Sequence, residues 1–198
     1  KLPQQHHARR HATGNGREDR FTVGQFESDQ LYYAVRLYRP GGEKAPESTL
    51  YIDTVRRAAD DGMTVVRVAA TDQHRTKFGP ASVADAQVQA QSQEGEKHRA
   101  CLTFRLVTGD ETLTISGLAC GQEKKPVDRA MLTCFIDRIA LMASGDDAKI
   151  RQIFSDAELS RHAGCTKSSL TSAGRKATWL DVDGAAPAFK SSVAQDQP

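Results

Sequence analysis

Six histidines and four cysteines are the side chains here whose types and spacing could do chemistry. His7 and His11 stand four apart with His6 beside them, and on a helix such a pair shares a face and can hold a transition metal. A ligating imidazole is normally oriented by a carboxylate or carbonyl on its other nitrogen. The segment around these histidines has glycines and no adjoining carboxylate, so it reads as a solvated stretch, and no metal-binding residue is assigned. His74, His98 and His162 each stand alone in polar surroundings. A general base needs a nucleophile within hydrogen-bond reach and a third group that orients it, and no spacing here supplies them.

The motifs G-x-S-x-G, S-x-x-K, H-E-x-x-H, G-x-x-x-x-G-K-[ST] and G-x-G-x-x-G are absent, so no catalytic or cofactor-binding residue is assigned and no cofactor is expected. Asp181, Asp183 and Gly184 echo the opening of a calcium loop, but the bidentate glutamate at its twelfth position is missing. A turn at a strand end explains them.

The cysteines say more. Cys101, Cys120, Cys134 and Cys165 form an even set with no C-x-x-C pair, which favours structural disulfides over a zinc site or a redox centre. Lys124 and Lys125 lie near Cys120, and neighbouring cations can activate a thiol. A bridge is the stronger reading, because Cys120 has a partner in reach. RACLTFRLV (99–107) and TLTISGLAC (112–120) are β-favouring runs joined by a hairpin connection, and folding about Asp110 sets Cys101 opposite Cys120. The expected pairing is Cys101–Cys120 and Cys134–Cys165, one of the three connectivities that four cysteines allow.

Other elements must position these groups. Residues 48–62 predict a helix capped at Ser48 and closed by Gly62, followed by a β-branched strand over 63–71. Residues 28–42 carry both a helical spacing (Leu31, Ala34, Val35, Tyr38) and an alternation (Tyr33, Val35, Leu37); the helix is the expectation. Residues 72–82 read as a turn-rich connection, and 82–93 alternate weakly. Pro126 predicts the first turn of a helix running to 144, whose stripe includes Met131, Cys134, Phe135 and Ile139. A short helix capped at Asp146 follows, then a second that a Ser155–Glu158 capping box opens before Gly164. Residues 175–182 predict a terminal strand carrying Trp179.

Composition limits the function classes. Hydrophobic content is 38%, a modest supply for a core, and cross-links offset that. The 27 basic and 25 acidic residues nearly balance, so there is no electrostatic footprint for nucleic acid. The local exception is residues 1–20, with Lys1, Arg9, Arg10, Arg17 and Arg20 against Glu18 and Asp19. No stretch reaches the ~20 apolar residues of a membrane span. The chain opens on Lys1 rather than methionine, which is expected of a processed product or a piece cut from a longer chain, with a removed signal peptide or a membrane tether upstream.

The expected architecture is a single small α+β domain, with an antiparallel hairpin or sheet and a C-terminal helical segment, stapled by two disulfides. It spans residues 21–182, between a flexible basic, histidine-rich tail (1–20) and a second flexible tail (183–198). The expected function is a non-catalytic module, periplasmic or secreted, that binds a protein, a glycan or a small ligand. The alternative is an exported hydrolase-like enzyme whose site is dispersed in sequence, drawing on His74, His98, His162 and acids such as Asp137.

Overall fold

The computed structural model describes residues 2–10, 12, 15–42, 48–93, 95–141 and 147–166. The expected strand at 175–182 with Trp179, the tail 183–198 and His11 fall outside them. The chain runs through β1 (Gln4–Arg10), β2 (Arg17–Val23), β3 (Tyr32–Arg39), α1 (Leu50–Asp60), β4 (Met63–Val68) and β5 (Asp72–Thr76). Then come β6 (Gly79–Ser92), β7 (Gly95–Val107), β8 (Thr114–Cys120), α2 (Arg129–Asp137), α3 (Ala148–Leu159) and a 3-10 turn, Ala163–Thr166. The strands form one antiparallel sheet in the order β1-β2-β3-β8-β7-β6-β4, with β5 also paired to β6. The α+β class is as expected.

Side-chain alternation gives this sheet two buried faces. On one face Tyr32, Ala34, Ala86, Val88, Cys101 and Leu118 form a core with Ala58 of α1. The hydroxyls of Thr54 on α1 and Thr103 on β7 meet at 2.6 Å within it. On the other face the Tyr33 ring stacks on Phe135 of α2 with centroids 4.0 Å apart, and Phe154 of α3 meets Phe78 edge-on. Gly117 lets the central strands close, because a Cβ there would sit 2.1 Å from the Ala34 carbonyl oxygen and 3.1 Å from the Phe104 ring.

Each helix starts on a side-chain cap that satisfies an otherwise orphaned N–H. Thr49 accepts from Ile52, Asp128 from Met131 and Asp147 from Ile150. The buried stripe of α1 is Leu50, Thr54 and Ala58; that of α3 is Ile150, Phe154 and Ala157.

Five expectations need correction. The segment 1–20 is no free tail: residues 4–10 and 17–23 are the first two strands, paired in register from Gln4↔Val23 to Arg10↔Arg17. Residues 32–39 form a strand and not a helix, and the turn-rich stretch 72–82 holds β5 and the start of β6. Helix α2 is shorter than expected, starting after Asp128 and ending at Asp137. Finally, α3 is one helix capped by Asp147, so Ser155 lies in its interior and opens nothing.

Both bridges form as expected. Cys101 and Cys120 face each other across β7 and β8 with Cα atoms 4.1 Å apart, and Cys134 of α2 joins Cys165 of the 3-10 turn at 4.9 Å. Such bonds belong to an oxidising, non-cytoplasmic setting. Among the described residues no helix is long and apolar enough to cross a membrane.

Candidate functional site

The sheet register brings chemistry together at one end of the molecule. Arg10 pairs with Arg17, and Arg17 with Arg39, so three arginines stand abreast on β1, β2 and β3. Like charges directly opposed on neighbouring strands are unfavourable, so the row needs counter-charge. Arg17 receives it from Asp19, which it grips through Nε and Nη2, both at 2.7 Å. That hydrogen bond raises the pKa of the arginine. Arg39 donates to Asp147 at 2.9 Å, while the other oxygen of Asp147 caps α3. Arg10 and Lys149, in the first turn of α3, have no ion-pair partner among the described residues.

These four cations line a cavity of about 720 Å³ with Asn15, Pro40, Gly41, Asp110, Glu111, Thr112 and Asp147. Asp110 is held ionised, its pKa lowered chiefly by the Thr112 hydroxyl and also by Thr108. Among the described residues the non-glycine positions with left-handed backbone are Asn15 and Glu111, at φ 59° and 57°. Asparagine adopts that conformation readily; glutamate does so at a cost, and such residues gather at functional sites. Both line this cavity. A second cavity of about 520 Å³ shares Asp110 and Lys149 and continues past Phe78, Gln152, Asp156 and Ser160. Together they make a groove between α3 and the strand ends, polar at the arginine end and more apolar beside Phe78, Ile153 and Ala157.

The expected catalytic candidates distribute differently. His74 is half-buried on β5, and exposed His98 meets Glu96 at 3.1 Å. His162 and Asp137, far apart in sequence, are brought together: Asp137 accepts from His162 Nδ1 at 2.8 Å. The same fully buried carboxylate also takes the backbone N–H of His162 at 3.0 Å and of Lys77 at 2.8 Å. It therefore pins the β5–β6 turn and the end of α3 to α2. No hydroxyl donates to the His162 ring among the described residues, and neither His162 nor Asp137 lines the two cavities of the groove.

His6 also finds a partner that its local sequence lacks. Asp19 on the next strand meets its Nε2 at 3.0 Å, and Phe21 stacks on its ring at 4.4 Å. That geometry fixes a strand edge; no group of three metal-ligating side chains exists among the described residues.

On the opposite face lies a structural charge network. Arg36, 3% exposed, donates to Asp60 at 2.8 Å and Asp61 at 2.7 Å. Arg20 also pairs with Asp61. Burial pushes the Asp61 carboxyl up in pKa against the pull of these arginines. Burial opposes ionisation of Glu18 too, yet the Arg9 hydrogen bond and the charges of Arg36 and Arg57 outweigh it, leaving its pKa lowered. Buried Arg99 donates to the carbonyls of Phe26, Gln30 and Gly121, closing the far end of the sheet.

Sequence reasoning missed the groove. Its only trace was the surplus of arginine in residues 1–20; Arg39, Asp110, Glu111 and Lys149 carried no signal, because register and not spacing assembles them. Compared with family models, curated proteins and solved structures, the chain shows no significant match to any.

Proposed function

We propose that this chain is a non-catalytic binding module, periplasmic or secreted and allowed a membrane tether upstream of Lys1, that takes a small ligand or glycan into the groove beside α3. The observation that carries this reading is the groove itself. It is wide enough for a small ligand, it holds two cations without an ion-pair partner among the described residues, and it is shaped in part by the left-handed Glu111. Strain and unspent charge in one concavity suit recognition better than stability. Disulfides that stiffen a thin core fit a module working outside the cytoplasm.

A screen of small metabolites and oligosaccharides against the oxidised protein by amide NMR tests the reading. Shifts are expected to cluster at Arg10, Asn15, Arg17, Arg39, Thr112 and Lys149. Ligands that mark other surfaces and leave these amides still would overturn it.

A further inference from the structure

Resting on that reading, we infer that the groove recognises an acidic oligosaccharide, with a sugar carboxylate seated between Arg10 and Lys149. Four cations and three carboxylates line the larger cavity. Arg17 and Arg39 are already committed to Asp19 and Asp147, so among the described residues the charge left for a ligand is that of Arg10 and Lys149. An arginine fork and a lysine point charge together suit a planar carboxylate.

The rest of the lining argues against a bare anion or a polyanion. Asp110 and Glu111 present negative charge to the same space. They repel a chain of closely spaced phosphates and instead call for donors on the ligand. Asp110 already accepts from Thr108, from the Thr112 hydroxyl and from the Thr112 N–H at 3.1 Å, so what it has left suits neutral hydroxyl donors. Sugar hydroxyls are such donors; Asn15 can give or accept among them, and Thr112, whose hydroxyl proton goes to Asp110, can accept.

The ligand is longer than one ring, because the groove continues into the second cavity. Beyond the shared Asp110 and Lys149 stand the half-buried Phe78 ring, a surface on which a sugar face can rest, and Gln152, Asp156 and Ser160 for further hydroxyls. One acidic ring then occupies the arginine end and the following rings run along α3.

The test is titration calorimetry with amide NMR on the oxidised chain, using digalacturonate, its carboxyl-reduced neutral counterpart, and inorganic phosphate. Digalacturonate is expected to shift groove amides and to bind at least about tenfold more tightly than the neutral disaccharide, which lacks both carboxylates, including the one seated between Arg10 and Lys149. Arg10→Gln and Lys149→Gln are each expected to weaken digalacturonate by about tenfold, with melting temperatures unchanged because neither residue has an ion-pair partner among the described residues. Equal binding of the neutral disaccharide in the groove would remove the carboxylate from the proposal while leaving the binding module standing. Phosphate binding as tightly as digalacturonate, with the same sensitivity to both variants, would reduce the site to a simple anion pocket and overturn the sugar. If no probe moves the groove amides the inference falls, whereas the module itself falls only if the wider ligand screen fails there too.

Discussion

Asp137 shows how one side chain can look catalytic and work as a fastener. Its carboxylate holds two backbone N–H groups and one imidazole, drawn from the β5–β6 turn and from the segment after α3. Removing a buried acceptor leaves its donors unmade at about 1–3 kcal/mol each, so Asp137→Ala is expected to destabilise the oxidised chain by about 3 kcal/mol in urea unfolding. His162→Ala, which removes a half-exposed ring and leaves the carboxylate two donors, is expected to cost about 1 kcal/mol. The same variant tests the hydrolase alternative: chromogenic esters are expected to turn over no faster with the wild-type chain than with His162→Ala. A hydrolysis rate that disappears with the imidazole would restore the enzyme reading. The sequence marked both residues as candidates but could not show that they meet, since 25 positions separate them.

At the scale of elements, legibility followed burial pattern. The β7–β8 hairpin was readable because β-branched runs flank a turn, and opposed cysteines then fixed the bridge. Strand β3 misled because Tyr32 to Arg36 are all buried, one face against α1 and the other against α2. A strand covered on both sides loses the alternation that announces it, and its apolar positions satisfy a helical template by accident. The opposite failure hid β1, exposed along its whole length as an edge strand and therefore without any apolar period. Among these elements α2 and the 3-10 turn depend most on covalent support. The Cys134–Cys165 bridge closes a loop of 31 positions, and replacing both cysteines by serine is expected to cost about 3–4 kcal/mol through the freedom returned to the unfolded chain. Urea midpoints of the double variant, measured with Cys101–Cys120 intact, check this; an unchanged midpoint would show the bridge to be passive.

For the whole molecule, pH is the informative variable. The carboxyl groups of Glu18, Asp19, Asp110 and Glu158 are held below their usual pKa in the folded state, while Asp61 is raised by burial. A depressed carboxylate contributes stability that is full above its unfolded pKa, near 4, and is lost as pH falls through the folded value. Asp61 acts in the opposite sense, but it is one group against four. Stability is therefore expected to hold near neutrality and to decline below about pH 4, read as a falling urea midpoint. A midpoint as high in acid as at neutral pH would contradict the ion pairs that join β1, β2 and β3. The fold class was legible because composition, cysteine parity and one hairpin all pointed to it. The groove was not, since strand register alone lines up its arginines. Finally, the ring closed by Cys134 and Cys165 contains the whole of α3, with Asp147 and Lys149 on it. One wall of the groove is thus threaded on a covalent loop while the other belongs to the sheet, so reduction of that bridge is expected to loosen the α3 wall and leave the sheet wall in place.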